Sequence, residues 1–186
     1  VGDVYGRSVQ IAELPPALPK AVIATEDRRF YRHFGIDVVG LARAVVVNAK
    51  ARRIVQGGST ITQQVAKNLF LNPERTLKRK IQELMLALWL ERRFSKDQIL
   101  TIYLNRVYLG AGTYGVDAAA RKYFGRGAPS LSLYESALLA GLLKAPSRLN
   151  PLADTDGAQA RARQVLKNMV AAGYLAEADV AHAEKT

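Results

Sequence analysis

A chain of 186 residues, 49% hydrophobic and 23% charged, is long enough for one compact domain with a real core and too short for two large ones. It has no cysteine and two histidines, His33 and His182, which excludes disulfides and thiolate metal sites and argues against a histidine metal cluster. The 27 Lys plus Arg against 16 Asp plus Glu give a net charge of +11, which points to an anionic partner: nucleic acid, an anionic membrane surface or a phosphorylated substrate.

No run approaches the roughly 18 to 20 apolar residues a membrane span needs, and the start shows no signal-peptide pattern. Because the chain begins at Val1 and stops at Thr186 just after a helical pattern, we expect a single domain over 1–186 excised from a longer, membrane-anchored protein.

The first stretch, through Pro15, Pro16 and Pro19, reads as extended or irregular, since proline fixes its own backbone and biases the preceding residue away from helix. From Lys20 to Tyr31 the spacing is helical, which puts Glu26 on a helix or at its end. Asp37 is an N-cap candidate for a helix through Ala51, with Val38, Leu41, Ala42, Val45 and Val46 as its apolar face. Arg52 to Gly58, with two basic residues and two glycines, breaks that period and is a candidate mobile loop.

Thr60 with Gln63 makes a capping-box pattern for a helix to about Leu71. Asn72-Pro73 is expected to start the next helix, Asn as cap and Pro at the first helical position. On that helix Leu77, Ile81, Leu84 and Leu88 are the expected buried stripe, and Arg75, Arg79 and Glu83 fall at successive i, i+4 steps on another face. Ser95 with Gln98 and Ser132 with Glu135 are further capping boxes, opening Ile99 to Leu109 and Ala137 to Lys144. Between them Val116 to Phe124 is helical with Gly125 as its stop. Helices over Ala158 to Ala172 and Ala176 to Glu184, parted by Gly173, complete the set. No strongly alternating strand and no internal repeat is visible, so the fold class expected is mainly α.

Three blocks carry chemistry. Glu26, beside Asp27 and close to Arg28, Arg29 and Arg32, reads either as a general base tuned by neighbouring charges or as a solvated helix surface. The interleaved Phe30, Phe34 and Gly35 argue for a segment pinned by packing. His33 reads either as positioning the loop by hydrogen bonding or as a satisfied buried histidine, and the structural role is the one expected. Gly57-Gly58-Ser59-Thr60 opens a helix whose exposed N–H groups can hold an anion, and the polar run Thr62, Gln63, Gln64, Lys67 and Asn68 behind it suits the wall of a cleft. Arg75, Arg79, Lys80 and Glu83 form either an ordinary salt-bridged surface row or a pyrophosphate site beside a second carboxylate, for which the planar fork of arginine is suited.

Together these blocks resemble the peptidoglycan glycosyltransferase module, glycosyltransferase family 51, of class A penicillin-binding proteins and monofunctional transglycosylases. Glu26-Asp27-x-x-Phe30-x-x-His33-x-Gly35 matches the first motif, Gly57 to Gln64 the second and Arg79-Lys80-x-x-Glu83 the third. Ile102 to Gly110 with Gly112, Tyr114 and Gly115 looks like the fourth, and Ala137 to Ala140 through Lys144-Ala145-Pro146 and Asn150-Pro151 like the fifth.

The resemblance implies a lysozyme-like, two-lobed helical domain with a large lobe and a small membrane-facing lobe, the latter including roughly residues 39–56. It implies that Glu26 is the base on the acceptor 4-hydroxyl and that Glu83 assists departure of the lipid pyrophosphate, directly or through a divalent metal (Mg or Mn), no cofactor being required. Lys67 and Arg75 match positions that bind the acceptor's pyrophosphate, and Arg29, Ser59, Gln64, Arg79 and Asn150 contribute to the rest of the groove. The partners implied are lipid II, the growing glycan strand, the membrane surface, a fused transpeptidase domain and other cell-wall synthesis proteins, at the periplasmic face of the cytoplasmic membrane, with no nucleic acid.

Two rivals stand beside this reading. A lysozyme-type muramidase also uses paired carboxylates but has no need for Lys67 and Arg75 beside a pyrophosphate. A basic helical nucleic-acid module predicts salt-dependent DNA binding that survives Glu26→Gln.

Overall fold

A computed structural model of the chain describes residues 4–54 and 57–184. The fold is mainly helical, with two strands of two residues each. The chain divides into two compact units: Val1–Arg28 with Thr101–Thr186, and Arg29–Leu100. The 39–56 stretch lies inside the second unit, which is wider than that stretch.

In the first unit, helix α1 spans Ala17–Glu26. It starts earlier than the prolines suggested, because Pro16 is its N-cap and Pro19 falls within the first turn, where a missing N–H costs nothing. Glu26 is its last residue, and the buried Asp27 caps the end by donating its N–H to Ile23 O at 3.0 Å.

Helix α2 (Val38–Ala51) belongs to the second unit and has the expected Asp37 cap, which accepts from Gly40 N at 3.0 Å. Helix α3 (Ile61–Phe70) is capped by Thr60, whose Oγ1 accepts from Gln63 N at 3.1 Å. Helix α4 (Leu77–Arg93) corrects two expectations. Its N-cap is Thr76, which accepts from Arg79 N at 3.1 Å, so Asn72-Pro73 forms a turn, with Glu74 N on Asn72 O at 2.8 Å, and Arg75 precedes the helix. Its buried residues are Glu83, Ala87 and Leu90, while Leu77 is 79% exposed and Ile81 is also exposed. Of the stripe expected inside, Leu77 and Ile81 therefore face out, while Leu84 and Leu88 are half-buried. Along α2 as well, Val38, Leu41, Val45 and Val46 are exposed and Ala44 is the buried residue. The loop expected over Arg52 to Gly58 lies partly outside the described residues. Arg52 itself closes α2 in the left-handed region at φ 53°.

Helix α5 (Lys96–Arg106) runs across the boundary between the units. Its capping box forms, Ser95 N donating to Gln98 Oε1 at 2.9 Å and Gln98 N to Ser95 Oγ at 3.1 Å. In the first unit, strand β1 (Val4–Tyr5) pairs parallel with β2 (Thr113–Tyr114); two-residue strands are too short for alternation to reveal. Helix α6 (Val116–Phe124) ends at Gly125, which takes the left-handed φ of 73° that favours glycine. Helix α7 (Leu133–Leu142) has both halves of the Ser132–Glu135 box. A short α8 (Pro146–Leu149), then α9 (Thr155–Ala171) and α10 (Glu177–Ala183) complete the fold. Helix α7 packs on both α1 and α9, and α1 on α9, around fully buried Leu18, Leu139, Leu142, Leu166 and Met169. This apolar three-helix core holds the end of α1, and with it Glu26, in place.

Candidate active site

In the first unit, Tyr103 of α5 is buried near the end of α1. Its phenol is pushed well above the usual tyrosine range, first by burial and then by the negative charges of Glu26 and Asp27. A neutral phenol therefore stands close enough to feel the carboxylate pair. Tyr103 lies in the fourth sequence motif, but nothing in its spacing relates it to α1, so sequence reasoning did not single it out. Asn150 is buried, and its amide is fully used by the backbone. Its Nδ2 donates to Pro146 O at 2.8 Å and Ser147 O at 3.2 Å, and its Oδ1 accepts from Leu152 N and Ala153 N, both at 3.1 Å. Asparagine has no further classical donor or acceptor to offer, so its observed job is to hold the turn from α8 to α9.

In the second unit, Ser59, Gln64, Lys67, Asn68, Glu74, Arg75, Thr76, Arg79, Lys80 and Glu83 line one groove of about 370 Å³. Six residues expected from sequence to bind substrate or act in catalysis (Ser59, Gln64, Lys67, Arg75, Arg79, Glu83) thus converge here, though Arg75 arrives from a turn and not from the helix. Four cations face two carboxylates. Arg79 pairs with Glu74 at 3.4 Å through Nη2, while its buried Nε has no partner. A buried unsatisfied donor is costly. Glu83 is buried and accepts from Lys80 Nζ at 3.0 Å; the same ammonium donates to Ser59 Oγ at 3.1 Å and to Gln63 Oε1 at 3.2 Å.

Arg29 is placed elsewhere in this unit: its Nε donates to Asp37 Oδ1 at 3.2 Å, bracing the N-cap of α2. His33 has the structural part foreseen, its buried Nδ1 accepting from Gly35 N at 3.0 Å. Fully buried Phe30 anchors the segment with Tyr31 and His33 edge-on and Lys96 Nζ 4.7 Å from its ring centroid. Lys96 in turn pairs with Glu91 at 2.6 Å, and Glu91 accepts from Thr62 Oγ1 at 2.8 Å. The first motif is therefore pinned by packing at Phe30, His33 and Gly35, while Phe34, expected to pack as well, is exposed.

Among the described residues no group of three His, Cys, Asp or Glu side chains could by itself hold a metal ion. Glu83 is the buried carboxylate of the groove, and its Oε1 is already held by the Lys80 ammonium at 3.0 Å.

Over 167 residues the chain is 55% identical to penicillin-binding protein 1A of Aquifex aeolicus (strain VF5), covering 90% of this chain and 23% of that protein. Over 176 residues it is 52% identical to penicillin-binding protein 1A of Escherichia coli (strain K12), covering 95% of this chain and 21% of that one. The chain thus spans less than a quarter of these curated relatives. The crystal structure of penicillin-binding protein 1A from Haemophilus influenzae superposes with a TM-score of 0.60 at 27% identity, over 98% of this chain and 18% of that chain. The family model described as Transglycosylase matches residues 2–170, nearly the whole length and all the motif blocks, and the chain belongs to that transglycosylase family.

Proposed function

We propose that the chain is an inverting peptidoglycan glycosyltransferase that polymerises lipid II into glycan strands and releases undecaprenyl pyrophosphate. The observation that carries this reading is the groove in which Lys67, Arg75, Arg79 and Lys80 surround the buried Glu83. A pyrophosphate leaving group needs concentrated positive charge in a preorganised, partly dry site, and a hydrolase cutting neutral sugars does not.

In the proposed reaction Glu26 takes the proton from the acceptor 4-hydroxyl as its oxygen attacks the anomeric carbon of the donor. A new C–O bond forms on one face while the bond to the pyrophosphate breaks on the other, and the leaving group departs with the electron pair. Lys67 and Arg75 hold the acceptor's pyrophosphate, and the Arg79 guanidinium neutralises charge beside Glu83. Ser59 and Gln64 contribute polar contacts to the groove wall. A divalent ion on Glu83, when bound, supplies further neutralisation of the leaving pyrophosphate. Asn150 and Arg29 serve the site through the backbone turn and the α2 cap they secure.

The substrate's lipid tail calls for a membrane surface, and α2 supports that partner. Val38, Val39, Leu41, Val45 and Val46 lie exposed on it, followed by Arg52 and Arg53, so apolar side chains can enter the bilayer surface while the arginines meet anionic headgroups. Among the described residues no helix is long and apolar enough to cross a membrane. We place the activity at the periplasmic face of the cytoplasmic membrane, in a parent protein that also carries a transpeptidase domain and works with other cell-wall synthesis proteins.

The test is incubation with purified lipid II. Glycan polymer whose formation moenomycin, the inhibitor known for this family, abolishes is the expected product. Unchanged lipid II, or cleavage of preformed glycan instead, overturns the reading.

A further inference from the structure

In an ordinary capping box the side chain three residues after the cap returns to the cap's own N–H. Gln63 does otherwise. It is 1% exposed, its Nε2 donates to Gly35 O at 3.2 Å, and its Oε1 accepts from Lys80 Nζ at 3.2 Å. Helix capping accounts for Thr60 and leaves this amide unexplained.

The amide has one tenable orientation. Gly35 O also accepts from Thr60 Oγ1 at 2.7 Å, and Gly35 N is held by His33 Nδ1 at 3.0 Å. Gly35 itself sits at φ 102°, where an added Cβ would meet Ala87 O at 3.1 Å, so the carbonyl is fixed in place. Flipping the amide would set oxygen against Gly35 O and NH₂ against an ammonium, two repulsions in a buried site. The acceptor offered to Lys80 is therefore rigid. Lys80, by contrast, is a long side chain 44% exposed, and a lysine paired three residues along a helix is weakly held by that pair alone. With Ser59 Oγ, Gln63 Oε1 and Glu83 Oε1 all within 3.2 Å, all three ammonium protons are engaged.

We infer that Gln63 is a positioning residue for Glu83, acting through Lys80: it relays the fixed Gly35 carbonyl of the first motif into a single placement of the Lys80 ammonium against the Glu83 carboxylate. The inference rests on the reading above that Glu83 works at the departing pyrophosphate. It ties the first, second and third motifs into one hydrogen-bonded chain, and gives the buried carboxylate a counter-charge that does not swing with solvent.

A double-mutant cycle on lipid II polymerisation tests it. Gln63→Met, close in size and without either hydrogen bond, lowers kcat about tenfold with KM within about twofold. In a Lys80→Met background the same change alters kcat by less than about twofold, because the lysine it acts through is gone. An equal loss in both backgrounds, or a loss wholly in KM, overturns the inference. Gln63→Glu, nearly isosteric, is the second variant. It loses the donor to Gly35 and pulls the ammonium off Glu83, so kcat falls in the same way. A crystal structure of each variant reads the placement without turnover. Lys80 displaced from Glu83 supports the inference, and Lys80 still bridging Ser59 and Glu83 contradicts it. If the wild-type chain does not polymerise lipid II, the proposed function fails, while the crystal structures still decide the role of Gln63.

Discussion

In the first unit the apolar residues of α1, α7 and α9 turn inward onto one another, and polar groups at its active end hang from that core. In the second unit the arrangement is inverted: Val38, Val45, Leu77, Ile81, Met85 and Trp89 lie exposed, while Thr60, Thr62, Gln63, His33 and Glu83 are buried. The first unit rests mainly on hydrophobic burial, while the second joins buried Phe30, Ile61, Leu90, Ile99 and Leu100 to a polar network in which the buried Arg79 Nε has no partner. A buried polar group without a partner is costly, and exposed apolar side chains grouped along a helix suit an interaction surface. The same helical periodicity thus serves two solvents, a protein core in one unit and, on our proposal, a bilayer surface in the other.

The sharpest way to break that contrast is Phe30→Ala. Because Phe30 is one of the few large apolar anchors of the second unit, its loss should destabilise by about 3–5 kcal/mol, read by urea denaturation. A loss under about 1 kcal/mol would mean that the polar network holds the unit without it.

In the first unit the matching probe is the buried Asp117, which accepts from Arg7 N, Ala128 N and Arg121 Nε. Burial alone pushes this carboxyl up, but the hydrogen bonds from Arg121 and from the two backbone N–H groups outweigh it, and it lies below the usual carboxylate range. A depressed carboxyl contributes stability above its unfolded pKa, about 3.9, and loses it as pH falls through the folded value. Asp117→Asn should therefore cost roughly 1–3 kcal/mol at neutral pH. The two proteins should converge in melting temperature as pH drops below about 3.9. A gap that stays constant into acid would assign the loss to packing.

The smallest effect sharpens the comparison at the surface. Val45→Ser with Val46→Ser should lower binding to anionic liposomes by roughly tenfold and leave the melting temperature unchanged, since both valines are more than half exposed. Unchanged liposome binding would remove the membrane role from α2.

What was legible in the sequence is what depends on neighbours along the chain. Asp37, Thr60, Ser95 and Ser132 cap the helices expected of them because a cap is decided within three residues. The convergence of Lys67, Arg75, Arg79 and Glu83 was legible from the motifs. Three features were not. Asn72 and Thr76 are competing caps four residues apart, both acceptable by local chemistry, and the structure uses Thr76. The faces of α2 and α4 show periodicity, but periodicity cannot say which solvent the apolar side meets. Finally, the Gly35–Gln63–Lys80–Glu83 chain and the approach of Tyr103 to the Glu26–Asp27 pair depend on contacts far apart in sequence. The bonds of Asn150 are local, reaching Pro146 O, Ser147 O, Leu152 N and Ala153 N; what periodicity does not show is the short α8 whose path brings these backbone groups onto one amide.

If Glu26, at the end of α1, is the base of a lipid II polymerase, Glu26→Gln should lower the polymerisation rate about a hundredfold or more with its melting curve essentially unmoved. A near wild-type rate on purified lipid II would contradict it.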